Sequence, residues 1–365
     1  MSRLFSPMKI RGLTIPNRVW MAPMCQYSAA DSGPDIAMPT DWHLTHLGSR
    51  AVGGAGLILT EATAVAPEGR ISPFDVGLWN RRQRDGHARV AEFIASQGTV
   101  PGIQLAHSGR KASTERPWRG GSPIGPDEGG WEPVGASPVA FSDRHPVPHE
   151  LSIDDIDRVV GDFAAAARLA WDAGYRVAEV HGAHGYLINS FLSPYSNHRT
   201  DSYGGSFEGR IRLAIRVVAA VRDVWPEDFP VFFRVSATDW LTENPQDARE
   251  GWTADDTLLL ARELSRAGVD LLDVSTGGNA PGVSIPVGPG YQVPFAASVR
   301  RETGLMTAAV GLITEPKQAE DILTVGDADA ILLGRELLRN PYWPLQAAAQ
   351  LDEAADWPEP YQRAV

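Results

Sequence analysis

His181, His184 and Tyr186 lie within six residues of one another, in His181-Gly182-Ala183-His184-Gly185-Tyr186-Leu187. Two imidazoles and a phenol at this spacing make a cluster of donors and acceptors that can hold an anion-like oxygen and deliver a proton. The cluster follows Val177-Ala178-Glu179-Val180, an apolar run that reads as a strand, so it sits at a strand's carboxyl end. Gly182 and Gly185 leave the backbone free to turn sharply and keep side-chain bulk off the site. The same residues also suit a metal site or a loop satisfied by its own polar groups, and spacing alone leaves these readings open.

Other polar residues fall where apolar runs end. Arg335 follows Gly334 directly after a strand-like run, and Gly311 follows another; backbone N–H groups beside an arginine suit a phosphate. The bland reading of Arg335 is a surface salt bridge. Arg234 interrupts Val231-Phe232-Phe233-Arg234-Val235, and a buried guanidinium needs a partner. That partner is either a carboxylate, Glu61 or Asp273, or the electron-rich edge of a cofactor ring. Gln104 can donate and accept together, as a ring carbonyl beside an N–H requires. Cys25 and Tyr27, in Ala22-Pro23-Met24-Cys25-Gln26-Tyr27, read on their own as packing residues.

The elements that must position these residues repeat one grammar: an amphipathic helix, a glycine, then a buried strand. Ser152 with Asp155 forms a capping box that opens a helix striped by Ile153, Ile156, Val160, Phe163 and Ala167; Gly174 ends it. The pattern recurs from Thr253 to Gly268 and from Thr314 to Gly326. Strands are expected at Val19–Ala22, Leu57–Glu61, Val100–Leu105, Val177–Val180, Val231–Val235, Leu271–Val274, Met306–Val310 and Ile331–Leu333. Near-continuous apolar strands alternating with helices imply a parallel sheet, and about eight of them close a (βα)8 TIM barrel. An open doubly wound sheet competes, but no Gly-x-Gly-x-x-Gly follows the first strand. The stretch from Ser108 to Glu150, rich in Gly, Pro and Trp, is expected to form a long excursion after strand three, with a short hairpin, covering the barrel mouth.

The chain has 365 residues and a net charge of −12, with no break in composition, so residues 1–365 are expected to form one domain. That charge argues against nucleic acid or an anionic membrane surface as partner. It does not argue against an anionic cofactor held in a local arginine pocket. The single cysteine can build neither an internal disulfide nor an iron–sulfur site. Neither an apolar leader segment nor a run of membrane length occurs, and the chain reads as soluble and cytoplasmic.

Several longer motifs occur in order. They are Ala22-Pro23-Met24-Cys25-Gln26-Tyr27, Asp41-Trp42-His43, Gln104-Leu105-Ala106-His107-Ser108-Gly109-Arg110-Lys111, His181-x-x-His184-Gly185-Tyr186-Leu187, Ser196-Asn197-x-Arg199-Thr200-Asp201-x-Tyr203-Gly204-Gly205-Ser206 and Gly334-Arg335. Together they resemble the Old Yellow Enzyme family over nearly the whole chain. Cys25 with Tyr27 resembles its thermophilic-like bacterial branch, which includes NADPH dehydrogenases and xenobiotic reductases.

The resemblance implies a barrel that holds FMN without a covalent bond and takes hydride from NADPH. Ala22, Pro23, Met24 and Cys25 would line the flavin, Cys25 tuning its potential rather than acting as a nucleophile. Ala62 and Gln104 would contact the ring system, Arg234 its pyrimidine side, and Gly311, Gly334 and Arg335 the phosphate. His181 and His184 would bind a substrate's carbonyl oxygen, Tyr186 would donate the proton, and Tyr27 would line the pocket. Arg363 would reach a neighbouring subunit's site in a homodimer or homotetramer. The substrates implied are activated alkenes, with quinones and nitro compounds as further acceptors. Two departures stand out: Ser32 to Thr40 is longer than the family pattern, and the tail ends Arg363-Ala364-Val365 without a closing aromatic residue. The competing readings are a metal-dependent barrel hydrolase using His181 and His184, and a flavin-binding protein without catalysis.

Overall fold

The computed structural model describes residues 2–244 and 246–364. An antiparallel hairpin, β1 (Met8–Ile10) and β2 (Leu13–Ile15), comes first. The strands β3 (Val19–Met21), β4 (Leu57–Ala64) and β5 (Val100–Ala106) follow. Beyond the two-residue strands β6 (Val134–Gly135) and β7 (His149–Glu150) come β8 (Val177–Gly182), β9 (Val231–Ser236), β10 (Leu271–Ser275), β11 (Met306–Ala309) and β12 (Ala330–Leu333). Eight of these close a barrel in the order β10-β11-β12-β3-β4-β5-β8-β9, all pairs parallel. All eight expected strands are present.

The apolar runs form strands because both faces are covered. Val19, Ile58, Ile103, Ala178, Phe233 and Leu272 pack outward against the helices. Trp20, Leu57, Leu59, Val177, Phe232 and Leu332 fill the interior, where Met8, Ile10 and Ile15 of the hairpin join them and plug the barrel. This hairpin escaped the sequence reading, although Met8-Lys9-Ile10 and Leu13-Thr14-Ile15 alternate apolar with polar residues around Gly12. The helix caps form as read: Asp155 N–H donates to Ser152 Oγ at 3.2 Å, and Gly174 takes a φ of +101° past the helix Ile153–Asp172.

Two expectations need correction. Strand β8 continues through Gly182, so His181 is part of the ladder opposite Arg234 rather than in the turn beyond it. The excursion after β5 holds short 3₁₀ turns and a parallel β6–β7 pair in place of a hairpin, because His149 lies alongside Val134 in the same direction. It does run over the site: Lys111 packs on the Tyr186 ring and Trp118 meets the Tyr27 ring edge-on. Among the described residues no helix is long and apolar enough to cross a membrane.

Candidate active site

Alternation along strands puts Glu179 and His181 on one face of β8. Gln104 of β5 lies opposite Glu179, and Arg234 of β9 lies between His181 and Asp273 of β10. Gln104 Nε2 donates to Glu179 Oε1 at 2.8 Å, and Arg234 Nε stands 2.9 Å from Asp273 Oδ2. The partner of Arg234 is therefore Asp273; Glu61 lies instead 3.1 Å from His43 Nε2. A bulge between Thr60 and Ala62 sets Glu61 out of the ladder, where its Oε2 accepts the Gln26 N–H at 2.7 Å and braces the Cys25–Tyr27 turn.

Glu179 was read only as part of an apolar strand. It is fully buried, and burial together with the nearby Asp273 charge pushes its carboxyl up to about 8. Burial raises Asp273 to about 6 against the pull of Arg234. A lone carboxylate two places before His181, on the same strand face, was the signal available in the sequence. Two buried carboxyls thus depend on one guanidinium, so Arg234→Met is expected to destabilise the fold by about 3–5 kcal/mol, read as a lower urea midpoint of the apoprotein. A shift under about 1 kcal/mol would show that neither carboxyl relies on it.

The His181 ring lies 5.2 Å from that of His184 and 5.0 Å from that of Tyr186, edge-on to both. His181 Nδ1 accepts the Ala183 N–H at 3.2 Å, which leaves Nε2 to carry the proton of the neutral ring. Burial, then the Arg234 charge, holds both imidazoles well below their usual range. Burial likewise raises the Tyr186 phenol well above its usual value, so it keeps its proton.

Gly185 takes a φ of +75°, and a Cβ there would come within 2.4 Å of Gly278 O. Gly182 serves differently: a Cβ on it would strike the Phe233 ring at 2.1 Å. Lys111, quoted in a motif but given no role, donates from Nζ to His184 O at 2.8 Å and Gly278 O at 3.0 Å. Burial lowers it to about 8.

Cys25 is partly exposed, and burial with the Asp75 and Glu61 carboxylates pushes its thiol well up, so it is a thiol rather than a thiolate at neutral pH. Ala22 and Pro23 are buried at the end of β3, Met24 is half-buried, and Ala62 lies opposite Gln104. After β11 and β12 a cavity of about 210 Å³ opens between Gly311, Leu312, Thr314, Gly334 and Arg335. Gly311 has a φ of +119°, and a Cβ on it would meet Gln292 Nε2 at 2.7 Å. An arginine beside a hollow that admits no Cβ at Gly311 fits a phosphate.

The Ser32–Thr40 segment packs on the helix Arg81–Ser96, where Asp35 pairs with Arg82 and Gln83 Nε2 donates to Ile36 O at 3.0 Å. It touches the pocket wall through Thr40 Oγ1, which donates to Ser28 O at 2.9 Å. The structure does not bring Arg363 to the cluster. Pro358 and Glu359 line a cavity with Pro16, Asn17, Gly98 and Thr99, which lead into the N-terminal ends of β3 and β5. Arg363 follows them, exposed, in the turn Glu359–Ala364.

A closed parallel barrel with donors at its strand ends and a hollow that fits a phosphate after the last two strands is the layout of a (βα)8 barrel enzyme. The chain belongs to the NADH:flavin oxidoreductase / NADH oxidase family, whose model matches residues 3–354, and so to the Old Yellow Enzyme family that its motifs resemble. It is an oxidoreductase that uses FMN. Among curated proteins it is 46% identical over 360 residues to an NADPH dehydrogenase of Geobacillus sp. (strain WCH70), covering 99% of this chain and 98% of the relative. Morphinone reductase superposes with a TM-score of 0.77 at 28% identity, covering 98% of this chain and 92% of that one. A 2-naphthoyl-CoA reductase superposes at 0.83 with 24% identity over 96% of this chain; this chain spans 52% of that longer one, and the likeness shows the fold alone. The reading as a metal-dependent hydrolase falls with this membership. Among the described residues no group of three or more His, Cys, Asp or Glu is placed to hold a metal ion.

Proposed function

We propose that this protein is an NADPH-dependent ene-reductase, acting in the cytoplasm on α,β-unsaturated carbonyl compounds, with quinones and nitro compounds as further acceptors. The net reaction adds a hydride from NADPH to the β-carbon and a proton to the α-carbon. FMN, when bound, supplies the two-electron step between NADPH and alkene. The observation that carries the reading is the close group of two neutral imidazoles and a protonated phenol at the carboxyl end of β8.

Residues 1–365 act as one FMN-binding domain. Ala22, Pro23, Met24 and Cys25 would line the flavin, Ala62 and Gln104 would contact its rings, and Arg234 would face its pyrimidine side. Gly311, Gly334 and Arg335 hold the phosphate. His181 donates from Nε2 to the substrate's carbonyl oxygen and His184 makes the second bond, stabilising the charge that grows there. Tyr186 gives its proton to the α-carbon, and Tyr27, backed by Trp118, bounds the pocket. In a homodimer or homotetramer, Arg363 reaches the site of a neighbouring subunit; its distance from its own cluster supports that reading.

Because burial keeps both imidazoles neutral, neither takes up a proton as pH falls through the ordinary imidazole value of about 6.5. The rate of alkene reduction is therefore expected to show no imidazole inflection between about pH 5.5 and 7.5. Asp273, raised to about 6, titrates in the same window; a drop centred near 6.5 that His181→Asn or His184→Asn removes would mean that one ring charges in the working enzyme. The function itself is tested by an anaerobic absorption spectrum: the yellow protein bleaches with NADPH and recovers its colour with 2-cyclohexen-1-one. Bleaching without recovery sinks the alkene assignment, and a protein that cannot be loaded with FMN sinks the whole reading.

A further inference from the structure

Neutral His184 has one N–H, and the cluster works as a pair of donors only if that proton sits on the nitrogen facing the substrate. The structure places His184 Nε2 elsewhere, 2.8 Å from Ser275 Oγ at the end of β10. Only Nδ1 is left for a substrate oxygen. A donor at Nδ1 requires a bare Nε2, and hence a hydroxyl that gives its hydrogen to Nε2.

Ser275 has one hydrogen and two acceptors within reach. Gln292 Oε1 is 3.2 Å away, farther than His184 Nε2. The direction of the Gln292 amide is set by Nε2, which donates to Val310 O at 3.0 Å, and its Oε1 already receives the Thr276 hydroxyl at 2.8 Å. The shorter, unsupplied acceptor is His184. The ring is held by the Ser275 contact and by the edge of the His181 ring 5.2 Å away, and its backbone is pinned on both sides, which sets where its Cβ points. Its N–H donates to Ser236 Oγ at 2.9 Å, and its carbonyl accepts Lys111 Nζ at 2.8 Å. A φ of +61° at His184 shows how closely the loop is held.

We infer that Ser275 is a positioning residue that fixes the tautomer of His184, donating to Nε2 so that Nδ1–H points its proton at the substrate oxygen. His181 reaches the opposite tautomer by a local route, its Nδ1 taking the Ala183 N–H. The two imidazoles thus offer donors from different ring nitrogens, one set by its own loop and one by a hydroxyl two barrel strands on, 91 residues away in the chain. The inference rests on the proposed binding of a carbonyl oxygen by this pair.

The test uses the FMN-loaded protein labelled with ¹⁵N-histidine, with 4-hydroxybenzaldehyde as an enolate-like phenolate. In the wild type the long-range ¹⁵N–¹H spectrum assigns His184 a protonated Nδ1 and a bare Nε2; Ser275→Ala moves the proton to Nε2 or mixes the two forms. The same variant weakens phenolate binding about 10- to 100-fold, the range typical of an outer partner that orients a working histidine. Ser275→Thr, which keeps the hydroxyl, restores both. An Nε2–H tautomer in the wild type, or a Ser275→Ala spectrum identical to wild type, overturns the assignment. Should Ser275→Ala lose FMN, the wild-type tautomer and the Ser275→Thr spectrum still decide it. His184→Ala separates this inference from the reading beneath it. Unchanged phenolate affinity there removes the carbonyl-binding role itself, whereas weakened affinity with an unaffected Ser275→Ala removes only the part given to Ser275.

Discussion

Tyr186→Phe lowers the rate of alkene reduction by about 100- to 10,000-fold, the range of a positioned general acid, while reduction of the bound flavin by NADPH stays near the wild-type rate. The split follows from where the phenol stands. Its ring is edge-on to His181 at 5.0 Å, beside the residues proposed to hold the carbonyl oxygen, and the proposed role as donor to the α-carbon rests on that placement. Burial keeps that proton on the phenol at any working pH, and the Lys111 ammonium stands 5.1 Å from the ring, a cation that favours the phenolate left behind. Hydride uptake from NADPH requires no proton at that position. Stopped-flow measurement of each half-reaction checks the expectation, and equal losses in both would remove Tyr186 as the donor.

His181→Ala should cost about 100- to 1000-fold in alkene reduction, the usual effect of losing one oxyanion donor. It should also weaken the binding of phenols, whose oxygen mimics the enolate. The backbone supports the direction of this bond. With Nδ1 held by Ala183 N–H, the neutral ring carries its proton on Nε2, the donor proposed for the carbonyl oxygen. The small side chain of alanine leaves room for water, a donor without orientation. A titration of the yellow protein with 4-hydroxybenzaldehyde reads the loss directly. Affinity equal to wild type would place the carbonyl oxygen elsewhere in the pocket.

Much of the fold was legible because strand and helix leave periodic marks in their own residues. Val231-Phe232-Phe233 or Leu271-Leu272 reads as a buried strand wherever it lies, and Ser152 with Asp155 announces a helix start within one turn. That Gly311, Gly334 and Arg335 meet around one hollow was legible for a similar reason, since they sit at strand ends that the barrel brings together. The hairpin that plugs the barrel was missed because three-residue strands carry too little periodicity to separate from a loop. The direction of β6 and β7 was misread because nothing in the thirteen residues between them specifies parallel or antiparallel pairing over two residues.

The order of the motifs, the residue types at the strand ends, the family and its flavin chemistry were settled by the sequence, since each is written in neighbouring residues. Tertiary structure alone decided which groups meet. Arg234 had two carboxylates to choose between, and the strand order β8-β9-β10 gave it Asp273, while a bulge in β4 turned Glu61 towards His43. Glu179 became a buried carboxyl beside that pair, Lys111 came onto Tyr186, and Ser275 came within reach of His184. Closure of the barrel aligns residues far apart in the chain at one level of its interior. Burial there, rather than residue type, sets which of them hold protons.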